Sequence, residues 1–299
     1  MTVAARAWVF RAAVIPAVLA LSTSTSAAPA PVPPEAKPFA LGSMEVFALR
    51  DAENIVPNDA KTFGVGHTPG EVAAVLRKAG APENEIRLPI DALLVKARGH
   101  VMLFDTGLGP HVHGVLIASL VKAGVRPVDV TDVFITHSHG DHVGGLVGSD
   151  GAPAFPNAVV HMSAREWDWM KSQPRNADIV QVISRQVKPF EPGGELAPGV
   201  RTVALYGHTP GHVGYQISSG RARLLDFGDL AHSSIISLAK PDWTVEYDND
   251  SEAGKATRKA TLAQLAKSGE LAFGPHMPFP GVGHVVAWGE GYVWKPASP

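Results

Sequence analysis

Short blocks of apolar and polar residues alternate along the chain and predict strands interspersed with helices. Apolar runs of strand length cover residues 44–49, 90–97, 100–104, 159–162, 200–205, 213–218 and 223–227. Segments with a helical pattern and glycine or proline boundaries cover residues 71–79, 115–123 and 255–267. Ser163 followed by Glu166 predicts a capping box at the start of a further helix. This mixture predicts an α+β protein, and no internal repeat is visible.

The amino-terminal segment has the pattern of a secretory signal. Arg6 and Arg11 give a positive region before a short apolar stretch at residues 12–21, and Ser26-Ala27-Ala28 offers a small-residue cleavage site. We therefore predict a signal peptide at 1–28, a proline-rich linker at 29–42 and one domain at 43–299. The apolar stretch is too short for a stable membrane span. The expected protein is periplasmic or secreted, with no stable membrane association after signal cleavage.

Composition narrows the classes of partner and ligand. The net charge is −2 and the pI is near 6.7, so there is no basic surface of the kind that nucleic acid requires. The chain contains no cysteine, which excludes disulfides and thiolate metal ligands. We expect a small-molecule substrate and no nucleic acid, and a homodimer is compatible with the sequence.

The largest local group of side chains that can bind a metal ion follows the apolar run at 130–135. The segment Thr136-His137-Ser138-His139-Gly140-Asp141-His142 places three histidines and a carboxylate in one turn. Neutral imidazole and ionised carboxylate are good ligands for Zn²⁺ and related divalent ions. The segment therefore predicts a metal site on a loop that a buried strand positions.

Further candidate ligands follow later apolar runs. His212 ends Gly-His-Thr-Pro-Gly-His, Asp229 ends a Gly-Asp pair, and His276 follows Gly274-Pro275. Each comes just after a predicted strand, as the first group does. Seven such groups are too many for one tetrahedral site, and they suit two metal ions.

These motifs together resemble the metallo-β-lactamase-fold hydrolases over roughly residues 43–295. The late segment from Pro275 to His284 is similar to the methyl parathion hydrolase-like branch of that family. The resemblance implies an αββα sandwich of two mixed sheets flanked by helices. It also implies that His137, His139 and His212 hold one divalent ion, that Asp141, His142 and His276 hold a second, and that Asp229 bridges them. The ions are expected to be Zn²⁺, with Mn²⁺, Fe²⁺ or Co²⁺ as alternatives.

Such a pair of ions can hold a shared hydroxide and polarise a substrate oxygen. Asp141 is the candidate catalytic residue, because its carboxylate can orient the nucleophile or protonate a leaving group. His208 is expected to fix its turn by hydrogen bonding and His284 to brace its loop. Asp105 is expected to orient a ligand histidine. The remaining histidines, His67, His100, His111, His113 and His161, are interpreted as exposed or satisfied.

The expected substrate is a neutral hydrophobic ester: a phosphotriester, a carboxylic ester or a lactone. An apolar pocket is predicted from Phe63, Trp167, Trp169, Leu230 and Phe279. His232 stands where related lactonases carry a tyrosine that contacts the substrate, and this departure counts against an acyl-homoserine lactonase. A β-lactamase is a further alternative, but that class lacks the Asp229 bridge. A periplasmic metal-binding protein without catalysis is the non-enzymatic alternative.

Overall fold

Two seven-stranded mixed sheets lie at the centre of the computed structural model, which describes residues 32–297. In spatial order the first sheet contains β1 (Ala36–Leu41), β2 (Met44–Pro57), β4 (Glu85–Ala97), β5 (His100–Phe104), β6 (Asp132–Phe134), β7 (Val159–Ser163) and β8 (Val187–Phe190). The second contains β16 (Gly291–Pro296), β15 (Val282–Trp288), β14 (Leu271–Phe273), β12 (Ala222–Asp226), β11 (Val213–Ser219), β10 (Val200–Ala204) and β9 (Glu195–Ala197). A small sheet pairs β3 (Phe63–Val65) with β13 (Thr244–Val245).

The two faces of the first sheet bury different neighbours, because successive strand residues point to opposite sides. In β2, Val46 and Ala48 belong to the core between the two large sheets. Phe47 and Leu49 belong instead to a core on the outer face. A strand that is buried on both faces in this way has an almost continuous apolar sequence, as residues 44–49 do.

Helices cover both outer faces. The helices of the described residues are α1 (Pro69–Lys78), α2 (Leu116–Lys122), α3 (Gly140–Val143), α4 (Ala164–Ser172), α5 (Ala177–Ile183), α6 (Ile236–Ala239) and α7 (Ser251–Ser268). Apolar residues of α2, α4 and α5 pack on the outer face of the first sheet. Leu262 and Leu265 of α7 pack on the outer face of the second. The layers are therefore αββα, and the predicted fold class is confirmed.

The linker prediction for residues 29–42 is wrong at its carboxyl end. Ala36–Leu41 forms β1, which pairs antiparallel with β2 in continuous register from Ala36↔Leu49 to Leu41↔Met44. Proline density suggested a linker, but an edge strand tolerates proline where its missing N–H faces away from the partner strand. The predicted signal peptide at 1–28 lies outside the described residues. Within 32–297, no helix combines the length and the apolar character needed to cross a bilayer.

Strand ends bring the candidate ligands together. The loop after β6 carries residues 136–142, the β10–β11 connection carries His208 and His212, Asp229 follows β12, and His276 follows β14. β5 and β6 are parallel, and so are β12 and β14, so that the loops at their carboxyl ends lie at the same edge of each sheet. The site therefore rests on rigid strands from both sheets.

Candidate metal centre and active-site cleft

The histidine-rich loop is held in place by Asp105, which follows β5. Thr136 donates to the Asp105 carboxylate from its backbone N–H and from its hydroxyl, both at 2.8 Å. Asp105 adopts a left-handed backbone conformation with φ of 59°. A non-glycine residue seldom adopts this conformation unless its surroundings impose it, and such residues cluster at functional sites. The Asp-Thr-Gly turn thus anchors the loop.

A first group of ligand atoms consists of His137, His139, His208 and Asp229. The His208 Nε2 atom lies 3.1 Å from His137 Nε2 and 2.9 Å from His139 Nδ1. Asp229 Oδ2 lies 3.3 Å from His208 Nε2 and 3.6 Å from His137 Nε2. Three imidazole nitrogens and one carboxylate oxygen thus converge on one point.

A second group consists of Asp141, His142 and His276. Asp141 Oδ2 lies 3.8 Å from His142 Nε2 and 3.6 Å from His276 Nε2. The other oxygen of Asp229, Oδ1, lies 3.1 Å from His142 Nε2 and 3.2 Å from His276 Nε2. Oδ2 faces the first group and also lies 3.2 Å from His276 Nε2, whereas Oδ1 faces the second group. The Asp229 carboxylate therefore lies between the two groups, as a bridging ligand must.

The structure corrects the assignment of His212. Its Nδ1–H donates to the Leu205 carbonyl at 2.8 Å, and its Nε2 accepts the Asp229 backbone N–H at 3.1 Å. Both ring nitrogens are therefore engaged by the backbone, and His208 takes the place predicted for His212. Gly228 is required here, because a Cβ on it would lie 2.6 Å from His212 Nε2. His212 fixes the turn that carries Asp229, which is the role that the sequence suggested for His208.

Oxygen acceptors anchor three of the converging histidines through the opposite ring nitrogen. His142 Nδ1–H donates to Asp105 at 2.7 Å, and His276 Nδ1–H donates to the Pro89 carbonyl at 2.6 Å. His208 Nδ1–H donates to Asp248 at 3.2 Å, and Asp248 in turn accepts a hydrogen bond from the buried Arg258. Such bonds fix the tautomer and leave Nε2 free to bind a metal ion.

Glu166 joins the two histidine-bearing loops, a role that its position in the sequence did not indicate. One carboxylate oxygen accepts the backbone N–H and the hydroxyl of Ser138, at 2.8 and 2.7 Å. The other accepts the Thr209 hydroxyl at 2.6 Å and the Gly211 N–H at 3.0 Å. The predicted capping box is therefore only half formed: Ser163 accepts the Glu166 N–H, but the Glu166 side chain turns into the site.

The donor set fits two divalent cations. His142 Nε2 and Asp229 Oδ1 are buried and have no hydrogen-bond partner, although they face each other. Buried polar atoms without partners are rare and require an explanation. Imidazole and carboxylate are also the ligands that zinc prefers. We conclude that the two groups could hold one ion each, with Asp229 shared.

The electrostatics of the site agree with this conclusion. Burial lowers the pKa of His137 well below its ordinary value and that of His139 to about 3. Burial opposes protonation of His208 as well, but hydrogen bonds to Asp229 and Asp248 raise its pKa to about 9. Burial alone would raise the pKa of Asp229, but His142 and His276 hold it well below its ordinary value. Protons on some of the histidines therefore balance buried carboxylates, and metal cations would displace those protons.

The centre opens into a cleft of about 680 Å³. Apart from the centre itself, its walls comprise Asn54, Leu88, Leu108, Trp169, Gln173, Arg175, His232, Glu246, Tyr247 and Asn249. Trp169 lines the cleft as predicted, but Trp167 packs in the core beneath α4. Phe63 and Leu230 belong to other cores and Phe279 lines a separate cavity. The cleft is therefore more polar than the predicted pocket.

His232 and His284 occupy different surroundings. His232 is buried and its Nε2 lies 3.2 Å from Asp229 Oδ2, so it lines the cleft beside the centre. His284 lies away from the centre, where its Nδ1 donates to the Gly269 carbonyl at 3.1 Å. The choice of His276 over His284 thus agrees with the geometry.

Comparisons with known proteins agree with the fold and the site. The family model described as the metallo-beta-lactamase superfamily matches residues 86–276. AidC, a dizinc quorum-quenching lactonase solved in complex with a product, is 31% identical, with a TM-score of 0.83, over 89% of this chain and 98% of its own. The hydrolase AbOPH is 27% identical, with a TM-score of 0.80, over 88% of this chain and 98% of its own.

A curated relative, metallo-beta-lactamase domain-containing protein 1 of Xenopus laevis, is 39% identical over 118 residues, or 39% of this chain. That alignment spans 42% of the relative's length, and an alignment with YobT of Bacillus subtilis spans 56%. The chain thus covers about half the length of these curated relatives. Its match to the family model and to the full length of AidC is decisive: the chain belongs to the metallo-beta-lactamase superfamily and is a metal-dependent hydrolase.

Proposed function

We propose that the protein is a dinuclear zinc hydrolase of neutral esters, with lactones as its preferred substrates. The observation that carries the proposal is the division of the ligands into two groups around the two oxygens of Asp229. The chain resembles AidC, a dizinc lactonase, over nearly the full length of AidC. This likeness favours zinc as the metal and a cyclic ester as the substrate. Phosphotriesters and open-chain carboxylic esters are the other members of the proposed class.

His137, His139, His208 and Asp229 would hold one ion, and Asp141, His142, His276 and Asp229 the other. Divalent ions held by these residues would supply Lewis acidity and would make water acidic enough to react at neutral pH. Asp141 is the carboxylate placed to carry a proton, because its side chain is 23% exposed, whereas that of Asp229 is 3% exposed. It would accept the proton of the attacking water and deliver it to the leaving oxygen.

The walls of the cleft suit an uncharged substrate with an apolar chain and a polar head. Leu88, Leu108 and Trp169 provide apolar surface, and Asn54 and Tyr247 provide hydrogen-bonding groups. Burial raises the pKa of the Tyr247 hydroxyl, which therefore remains a donor at neutral pH. It would donate to a carbonyl or ring oxygen of the bound ester.

A turnover panel on zinc-loaded protein tests the proposal. The panel comprises an acyl-homoserine lactone, an aryl carboxylic ester, a phosphotriester and a β-lactam. We expect the largest kcat/KM with the lactone, and loss of turnover after chelation that added zinc restores. A larger kcat/KM with the β-lactam, or turnover that survives complete metal removal, would refute the proposal.

We also propose that the enzyme acts outside the cytoplasm, as a mature chain that begins near Pro29. The basis is the positive segment, short apolar stretch and small-residue site at residues 1–28. Amino-terminal sequencing of protein secreted or exported by a bacterial host tests this. An intact Met1 in a membrane fraction would contradict it.

A further inference from the structure

A second cavity, of about 390 Å³, lies next to the cleft and shares only His276 with its lining. Its walls come from β2, β4, the end of α1 and the segment after Asp229. Ala52, Leu76, Ile86 and Phe279 make much of the surface apolar. The volume lies within the range of small-molecule sites.

Asp91 is the unusual residue of this cavity. Its side chain projects from β4, the residue is 2% exposed, and both carboxylate oxygens are buried without a hydrogen-bond partner. Its backbone N–H donates to the Pro275 carbonyl at 3.1 Å, and the register with β2 shifts next to it, between Arg50 and Ala52. Only the carboxyl group is left without a partner.

The guanidinium groups of the cavity are engaged elsewhere. Arg50 stands opposite Asp91 in the β2–β4 register, but its Nη1 lies 3.1 Å from Glu35 and its guanidinium stacks 4.2 Å from the Phe279 ring centre. Arg87 pairs with Glu53 at 2.7 Å. Burial raises the pKa of the Asp91 carboxyl well above its ordinary value, and Arg50 opposes this shift without cancelling it.

Burial of a carboxyl group without hydrogen-bond partners lowers the stability of the folded state, and folding does not require such a group. Removing such a group in favour of an apolar residue of similar shape is commonly neutral or stabilising. Native sites that retain such costs are commonly functional, because stability is sacrificed where binding demands it. Asp91 therefore points to a ligand that supplies the missing hydrogen-bond donors.

We propose that this cavity binds a small organic cation, a primary ammonium that carries a short apolar chain, with Asp91 as its anchor. The ammonium donates to the two free carboxylate oxygens, and the chain packs on the apolar wall. A hard cation such as Ca²⁺ or Mg²⁺ fits less well, because it requires six or more oxygen ligands and much of the remaining wall is apolar. The proposal concerns a site beside the catalytic cleft and does not depend on the proposed substrate.

Calorimetric titration of the metal-loaded mature protein with n-butylammonium chloride tests this site. We expect saturable binding of one cation per chain, with a dissociation constant of about 1 mM or tighter. Asp91→Asn should weaken binding at least tenfold while retaining the thermal unfolding temperature. Asp168→Asn is the matched control, because Asp168 has a side chain that is 75% exposed and lies on α4, and it should leave the affinity unchanged.

Potassium chloride and n-butanol, titrated in parallel, distinguish the chemistry that is recognised. Neither should bind, because the first lacks N–H donors and the second lacks charge. Equal affinity of the Asp91→Asn variant for n-butylammonium, equal binding of n-butanol, or no saturable binding in the unmodified protein would overturn the proposal. The readout is binding heat, so a failure of the proposed esterase activity would leave the outcome of this test interpretable.

Discussion

Two histidine–aspartate clusters lie near opposite ends of the same short strand, β6, and they differ in how their polar atoms are satisfied. At the start of the strand, Asp132 accepts hydrogen bonds from His100 and His161, both at 2.9 Å, and from Thr131 at 2.8 Å. Beyond its end, Asp229 Oδ1 and His142 Nε2 are buried without hydrogen bonds. The Asp132 carboxylate of the first cluster is satisfied by hydrogen bonds within the protein. Asp229 Oδ1 and His142 Nε2 of the second cluster would be satisfied by bound cations.

Residue type alone does not distinguish the two clusters, since both consist mainly of imidazole and carboxylate groups. The difference lies in where the second ring nitrogen and the second carboxylate oxygen find partners. A cluster whose polar atoms hydrogen-bond to one another contributes to the stability of the fold. A cluster whose ligand atoms converge without hydrogen-bond partners contributes to metal binding. Variants in the two regions should therefore change different properties.

The largest effect is expected for Asp229→Ala. Because Asp229 presents an oxygen to each ligand group, its loss should lower the affinity for both ions together. The ions are worth several kcal/mol in the transition state, so kcat/KM should fall at least ~100-fold. Elemental analysis together with lactone turnover measures both effects. A variant that keeps two tightly bound ions per chain would refute the bridging role.

His208→Ala and His212→Ala should separate ligation from support. His208→Ala removes a converging nitrogen, so we expect loss of one ion per chain and retention of the other. His212→Ala leaves the Asp229 N–H and the Leu205 carbonyl without partners, so we expect the free energy of unfolding to fall by about 2 kcal/mol. Zinc titration and urea denaturation of both variants provide the test. The opposite result, with the ion lost only from His212→Ala, would restore the assignment made from sequence.

A smaller effect is expected for Glu166→Gln. Four donors converge on the two Glu166 oxygens, and an amide would place its NH₂ group against donors on one side. The two histidine loops should then separate slightly, and the affinity of the first ligand group for its ion should fall about 10–100-fold. The ion of the second group should bind as before. Glu252→Gln, at an exposed position of α7, is the control and should change neither affinity.

The smallest effect on the metal centre is expected for Asp132→Asn, which should change stability alone. Burial would raise the pKa of Asp132, but the hydrogen bonds from His161 and His100 lower it below its ordinary value of 3.8. Because the folded-state pKa is depressed, the ionised carboxylate stabilises the fold above pH 3.8, and this stabilisation is lost as the pH falls below that value.

The variant should therefore be less stable than the unmodified protein by about 2 kcal/mol at pH 6. The difference should narrow progressively on acidification below pH 4. Urea denaturation across this pH range checks the prediction, with metal content as a second readout. A stability gap that widens on acidification, or a lost metal ion, would contradict the comparison of the two clusters.

Much of the architecture could be predicted because local pattern and burial agree. The strand at His100–Phe104 has the bounds that its sequence predicts, and Gly269, with φ of 66°, ends α7 as expected. The β1 strand was missed because proline-rich composition resembles a linker, and only pairing with β2 makes it a strand. Trp167 and Trp169 have similar sequence contexts, and the orientation of α4 alone directs Trp169 to the cleft.

The sequence by itself determined that imidazole and carboxylate groups follow the ends of several strands, and hence that the protein contains a metal site. It did not determine which histidine of Gly-His-Thr-Pro-Gly-His binds, because His208 and His212 share one turn and one chemistry. Tertiary structure decided this by bringing the Leu205 carbonyl and the Asp229 N–H to both nitrogens of His212. It likewise directed Glu166 between two loops and left Asp91 without a partner. The physical reason is that a residue's chemistry is local, whereas the satisfaction of its polar atoms depends on partners distant in sequence.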